Sequence, residues 1–334
     1  MKISASIYSD KVRPLKETID DLVQHKVDLL HVDCNDDLKV FDDIKEIRNW
    51  TDTPIDLHII TDTPEKYFEL LRQVPVEYVT FQYENLSEGF KLPNDIQGKK
   101  GLAVITPTSV EVFDKFSNWD FILIMATIPG QSGGVFDALN FAKIRHFRKK
   151  FPNKSIHVDG GVNGEVSFVL RNMGVSSSVS GSYLFNAPSI GHALMDLTKR
   201  DMESSILIKD FMIPLSESPV LQFSEMNLEK VLKTIEEGNL GFCLIVDEGD
   251  TLRGMISNAD IRKGMLRNMS DLNEMKAESL MNTSPFALKE NRTVGELMKA
   301  IRNCTFPISY LPIIDNENRA KGIVTFVNLI KGEL

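Results

Sequence analysis

Over roughly the first two hundred residues, short apolar runs alternate with amphipathic stretches. The runs at 3–8, 28–33, 55–60, 78–83, 101–105, 121–126, 155–159 and 177–181 are rich in Val, Ile and aromatic residues and predict strands. Helix-like segments lie between them, at 11–25, 37–50, 64–72, 110–116, 136–151 and 164–173. Ser9 and Asp10 stand where caps for the first helix are expected. The stretch 84–97 is weakly patterned, holds Pro93, and predicts a short helix at most. Eight such repeats in about 200 residues match the smallest (β/α)8 barrels. A doubly wound open sheet gives the same alternation. No G-x-G-x-x-G follows the first strand, which weakens a dinucleotide-binding reading.

The polar positions decide for the barrel. Ser6, His31, Asp33, His58 and Asp159 all fall at ends of expected strands. In a (β/α)8 barrel the catalytic groups gather at the C-terminal ends of the strands. His31 and Asp33 are two apart on one strand and therefore share a face. Asp56 lies one step below His58 on the same face and is expected to orient it. Two imidazoles and two carboxylates form a mixed nitrogen and oxygen set that suits Zn, Fe, Mn or Co. Carboxylates on opposite walls have a second use: one removes a proton from a carbon beside a carbonyl, and the other returns it on the opposite face. A single strand-end histidine is ordinarily core, and His157 is read that way.

Three Gly-rich turns follow the last three expected strands: Gly130-Gln131-Ser132-Gly133-Gly134, Asp159-Gly160-Gly161 and Ser180-Gly181-Ser182. Barrels of this class commonly bind phosphate with backbone N–H groups after strands seven and eight.

A polar stretch at 201–207 predicts a linker between a barrel at 1–200 and a second domain at 208–334. The second domain repeats itself. Val246-Asp247 followed by Gly254-Met255-Ile256-Ser257-Asn258-Ala259-Asp260 aligns with Ile314-Asp315 followed by Gly322-Ile323-Val324-Thr325-Phe326-Val327-Asn328. The offset is constant at roughly 68 residues, which predicts tandem copies at about 208–267 and 276–334.

Composition narrows the function classes. The chain has 334 residues, 42% of them hydrophobic, and a net charge of -9. That balance argues against general binding to nucleic acid or to an anionic membrane. Cys34, Cys243 and Cys304 are odd in number and far apart, so no disulfide framework is implied. The opening residues are too polar for a signal peptide, and no apolar run approaches the ~20 residues that span a bilayer. A cytoplasmic protein is expected.

The barrel residues resemble the ribulose-phosphate 3-epimerase family over about residues 2–187. Leu30-His31-Val32-Asp33 is similar to that family's I-H-V-D strand, and Asp56-Leu57-His58 to its D-V-H. Leu123-Ile124-Met125 with Pro129-Gly130 and Gly133, Val158-Asp159-Gly160-Gly161-Val162, and Gly181-Ser182 with Phe185 continue the match in order. The resemblance implies metal ligands at His31, Asp33, His58 and Asp159, with Asp33 and Asp159 as the acid/base pair. It implies substrate contacts at Ser6, Met125, Gly130, Gly133, Gly160, Gly161, Gly181 and Ser182. Departures touch the pocket wall and cover. Cys34-Asn35-Asp36-Asp37 replaces Met-Asp-Gly-His, Ile60 replaces a methionine, Gln82 stands where the family usually has His, and Gln131-Ser132 replaces Phe-Gly. Asp33 and Cys34 point to opposite faces of a strand, so Cys34 is read as buried and inert.

The repeated half resembles a CBS pair. Gly254 to Asp260 fits that family's G-h-x-[ST]-x-x-D motif, which implies nucleotide contacts at Ser257 and Asp260, with Thr325 in the second copy. Asn328 replaces the second Asp, which favours the site at Ser257 and Asp260. An adenine or cytidine nucleotide and a homodimer or higher homo-oligomer are the implied partners. The expected function is metal-dependent epimerisation of a phosphorylated ketose, ribulose 5-phosphate/xylulose 5-phosphate or a related sugar phosphate, regulated by a nucleotide. The rival reading is a catalytically degenerate barrel in a nucleotide-sensing regulator of sugar metabolism.

Overall fold

In a computed structural model that describes residues 1–127, 133–198, 205–271, 275–304 and 308–326, eight parallel strands close into a barrel. They are β1 (Lys2–Ser6), β2 (Leu29–Asn35), β3 (Ile55–Ile60), β4 (Tyr78–Gln82), β5 (Lys99–Ile105), β6 (Phe121–Met125), β7 (Ser155–Asp159) and β8 (Ser177–Ser180). Neighbours in sequence are neighbours in the sheet, and β8 pairs with β1 to complete the ring. Every expected strand is present, each within three residues of its expected bounds. The run at 3–8 stops at Ser6 because Ile7–Ser9 curl into a 3-10 turn. Inward-facing Leu29, Tyr78, Ala103, Phe121, Leu123 and Met125 pack one core cluster.

Helices α1 (Leu15–Gln24), α2 (Val40–Trp50), α3 (Phe68–Gln73), α4 (Leu139–Lys150), α5 (Gly164–Asn172), α6 (Ser182–Phe185) and α7 (Ile190–Thr198) accompany the barrel. The first helix begins four residues later than expected. Asp10 accepts from the backbone N–H of Val12 and Arg13, so it closes a turn instead of capping the helix. Pro14 then holds its predecessor away from helical geometry and serves as N-cap itself. The segment Val110–Phe116 is a 3-10 helix, started by the Ser109 hydroxyl that accepts from Glu111 N–H. Between β4 and β5 only Tyr83–Asn85 turns helically.

Among the described residues, 1–198 belong to one compact unit and 205–326 to another. Four residues of the expected linker, 201–204, lie outside the described residues. The second unit opens with α8 (Ile208–Phe211) and β9 (Ile213–Pro214). Its first copy comprises β10 (Val220–Gln222), α9 (Leu228–Gly238), β11 (Phe242–Val246), β12 (Leu252–Ser257) and α10 (Asn258–Arg267). The second comprises β13 (Leu288–Lys289), α11 (Val294–Arg302), β14 (Tyr310–Ile314) and β15 (Ala320–Thr325). The repeat is structural as well as sequential. Phe242 pairs with Ser257 and Tyr310 with Thr325, and both hairpins carry a register shift at the equivalent place. Each copy's leading segment crosses to the other copy's sheet: β9 pairs with β15, and Asn282 bridges Met255. The two sheets thereby bury a shared core of Phe242, Leu244, Val246, Ile314 and Ile323. Among the described residues, no helix is long and apolar enough to cross a membrane.

Candidate metal and catalytic centre

Strand register brings the polar strand ends together. In the parallel β2–β3 pair, His31 stands opposite Asp56 and Asp33 opposite His58. In β6–β7, Met125 stands opposite Asp159. His31, Asp33, His58 and Asp159 each offer one ligating atom, and these atoms lie within 4.8 Å of one another. His31 Nε2 is 3.2 Å from Asp33 Oδ1 and 3.8 Å from Asp159 Oδ2. His58 Nδ1 is 3.5 Å from Asp33 Oδ1. The two imidazoles are fully buried, while each carboxylate keeps an accessible side.

What orients each ring differs from the sequence expectation. Asp56 does not hold His58; it accepts from His31 Nδ1 at 3.0 Å and from the Ser4 hydroxyl at 2.9 Å. The reason is register: Asp56 faces His31 across β2–β3 and shares its level in the barrel. His58 Nε2 lies instead 3.0 Å from Gln82 Oε1, on the next strand. Two contributors thus went unassigned in the sequence, Ser4 and Gln82. The signal for Ser4 was a polar residue on the inward face of a strand, and that for Gln82 was its departure from the family's histidine.

The electrostatics pull the two catalytic candidates apart. Burial opposes ionisation of Asp33, but the adjacent His31 and His58 outweigh it and hold its carboxyl far below the usual range. Burial lifts Asp159 to about 6, and the negative charge of Asp33 adds to the lift while His31 opposes it. Burial disfavours a charged His31, yet Asp33 and Asp56 together raise its pKa well above the ordinary value. A proton on His31 therefore neutralises part of a cluster built from three carboxylates.

A divalent cation fits this site. His58 Nδ1 is buried with no hydrogen-bond partner among the described residues. Such an atom is costly unless something binds it. The donor set of two imidazole nitrogens and two carboxylate oxygens suits a divalent transition ion. A lone unpartnered nitrogen would not suffice. His157 Nδ1 is also buried without a hydrogen bond among the described residues, but its ring stacks on Phe121 at 4.1 Å and burial holds its pKa down at about 4. His157 is packing. Cys34 is buried as well, its thiol donating to Asp37 O at 3.3 Å.

The substrate-side expectations lie at the same end of the barrel. Ser6 ends β1 and accepts from the Ser9 hydroxyl at 3.1 Å. Met125 ends β6 and is buried. Gly160 and Gly161 follow β7 with φ of 107° and 66°, which side-chain-bearing residues rarely adopt. A Cβ on Gly161 would sit 2.1 Å from the backbone nitrogen of Phe136, so this turn is tight as well as left-handed. Gly181 caps α6, and Ser182 is its first residue. Gly133 also has positive φ, 88°. Gly130 lies outside the described residues.

In the second unit, Ser257 caps α10. Its hydroxyl accepts from Asp260 N–H at 3.3 Å, and Asp260 Oδ2 accepts from Ser257 N–H at 3.0 Å and from the Ser257 hydroxyl at 2.5 Å. The motif is therefore also a capping box. Thr325 ends β15 at the equivalent position, and Asn328 lies outside the described residues.

Comparison with known proteins agrees with both halves. The ribulose-phosphate 3 epimerase family matches residues 2–185, and the CBS domain matches residues 208–267 and 277–333. The cytoplasmic isoform of ribulose-phosphate 3-epimerase from Oryza sativa subsp. japonica is 28% identical over 212 residues, covering 59% of this chain and 93% of its own. Ribulose-phosphate 3-epimerase from Methanocaldococcus jannaschii is 26% identical over 226 residues, covering 64% of this chain and 95% of its own. Among solved structures, a CBS domain pair in complex with 5-methylthioadenosine and S-adenosyl-L-methionine is 25% identical, with a TM-score of 0.32, over 38% of this chain and 94% of its own. With the barrel, the strand-end residues and the match over more than half its length, the chain belongs to the ribulose-phosphate 3 epimerase family, a family of isomerases.

Proposed function

We propose that the barrel epimerises a phosphorylated ketose at the carbon next to its carbonyl, with ribulose 5-phosphate/xylulose 5-phosphate as the first pair to test. The observation that carries this reading is the convergence of Asp33 and Asp159 with two histidine nitrogens inside 4.8 Å. His31 Nε2, His58 Nδ1 and the two carboxylates would hold a divalent ion, one of Zn, Fe, Mn or Co. When bound, the ion supplies positive charge beside a developing enediolate.

The chain's own residues do the rest. One aspartate removes the carbon-bound proton and the other delivers a proton to the opposite face, which inverts the centre. Carboxylates that reach one point from different strands suit such a division of labour: Asp33 comes from β2 and Asp159 from β7. Ser6 and Met125 line the reacting end, and the turns at Gly160-Gly161 and Gly181-Ser182, with Gly133 and, from the resemblance, Gly130, take the phosphate through backbone N–H groups. The intact ligand set argues against a degenerate barrel.

We assign residues 1–200 to this activity, 201–207 to a linker, and 208–334 to a CBS pair with copies at about 208–267 and 276–334. The pair would take an adenine or cytidine nucleotide at Ser257 and Asp260, with Thr325 offering the second site, and would assemble the chain as a homo-oligomer. The free thiols of Cys34, Cys243 and Cys304 fit a reducing, cytoplasmic setting. The activity is tested by incubating metal-loaded protein with a panel of ketose phosphates in deuterated water and following the NMR signal of the proton beside the carbonyl. Loss of that signal with appearance of the epimer supports the reading. No exchange with any ketose phosphate overturns it.

A further inference from the structure

We infer that Gln82, held by Glu84, is a positioning residue that fixes His58 in the tautomer able to bind a metal through Nδ1. The inference rests on the metal-centre reading above and extends it to residues outside the ligand set. The Glu84 carboxylate has only acceptors. Its Oε2 accepts from Gln82 Nε2, and its Oε1 accepts from Ile105 N–H at 3.2 Å and the Thr108 hydroxyl at 2.5 Å. Gln82 must therefore turn its NH2 toward Glu84, which leaves its Oε1 toward His58. An amide oxygen only accepts, so His58 Nε2 must carry the hydrogen that spans their 3.0 Å. In the neutral ring that binds a cation the lone pair then belongs to Nδ1, the buried nitrogen that lacks a hydrogen bond among the described residues and faces Asp33 at 3.5 Å.

Turning the amide over would reverse each consequence. Its oxygen would meet the Glu84 carboxylate, its NH2 would demand a bare Nε2 on His58, and Nδ1 would carry the hydrogen. Gln82 is 2% exposed, so water does not compete for its amide. The device mirrors the one on the other histidine. Asp56 acts directly on His31 Nδ1 and turns Nε2 toward Asp33 and Asp159; Glu84 acts through an amide on His58 Nε2 and turns Nδ1 toward Asp33. The two rings are thereby locked with opposite nitrogens presented to one point.

The test uses the full chain stripped of metal, with Zn²⁺ as probe and two readouts. Ring 15N spectra report which His58 nitrogen carries the hydrogen, and chelator competition reports zinc affinity. Wild type should give a single Nε2–H tautomer. Gln82→Leu should give mixed tautomers and bind zinc about tenfold to a hundredfold more weakly. Gln82→His, whose ring can donate to Glu84 and accept from His58, should restore the tautomer and most of the affinity. Glu84→Ala, at an exposed position that leaves no core cavity, should shift both readouts the same way by less. The inference is overturned if Gln82→Leu and Glu84→Ala keep one Nε2–H tautomer and wild-type zinc affinity, or if Gln82→His is as impaired as Gln82→Leu. Should wild type bind no zinc, the metal-centre reading fails on its own, and the tautomer spectra still decide this one.

Discussion

The barrel centre and the Ser257–Asp260 motif use overlapping chemistry in opposite ways. The barrel centre gathers residues from β2, β3 and β7 that are far apart in the chain, and leaves His58 Nδ1 buried without a hydrogen bond among the described residues. The Ser257 motif lies within four residues, and its hydroxyl, carboxylate and N–H groups satisfy one another as a helix cap. The first arrangement is incomplete as a fold element, because adjacent buried carboxylates and an empty nitrogen cost stability until a cation joins them. The second is complete without any ligand. Like residues therefore carry different weight as functional evidence: unsatisfied and convergent in one place, self-satisfied and local in the other.

The sharpest way to break this contrast is to neutralise one wall of the barrel centre. Asp159→Asn keeps the shape and removes the proposed acid/base group, so proton exchange beside the carbonyl should fall by about a hundredfold to ten-thousandfold. Deuterium incorporation measures it, and activity near wild type would show that the convergence is not catalytic. A second prediction asks whether a buried histidine outside the cluster is only packing. His157 has its pKa depressed from 6.5 to about 4 by burial. A depressed histidine contributes stability that is full above the unfolded value and lost as pH falls from 6.5 toward 4. His157→Phe should remove that acid loss, worth up to about 3 kcal/mol near the lower end, without changing metal affinity. Urea denaturation across that range tests the first part and chelator competition the second.

The smallest effect tests the local motif. Ser257→Ala removes the cap of α10, and Thr293→Ala removes the matching cap of α11, where Thr293 accepts from Glu296 N–H at 3.2 Å. Each should cost about 1 kcal/mol in the second unit. Only Ser257→Ala should also abolish a nucleotide-induced rise in thermal midpoint. Equal loss of the response in both variants would assign the Ser257 motif to capping alone.

Most of the fold and the four-residue centre were legible in the sequence for the same reason. Alternation and β-branched runs mark strands, and the polar residues His31, Asp33, His58 and Asp159 interrupt them at their ends, where a parallel barrel places its chemistry. The partners of those residues were not legible. Asp56 was assigned to His58 because the two share a strand face, but register between strands decides which ring a carboxylate meets, and one strand's sequence does not carry its stagger against the next. Gln82 could be seen only as a departure from the family's histidine. Its role depends on Glu84, which the chain's 3-10 turn after β4 folds back onto it. The late start of α1 follows from competition between two local signals, Asp10 as a cap and Pro14 as a block, and the proline prevails.

In the proposed site one ion is shared by His31 Nε2, His58 Nδ1, Asp33 and Asp159. Anomalous diffraction from crystals of zinc-loaded protein tests it most directly. A single strong peak is expected about 2.0–2.2 Å from an atom of each of the four side chains. Zinc bound at full occupancy elsewhere, with those four side chains turned away from one another, would contradict it.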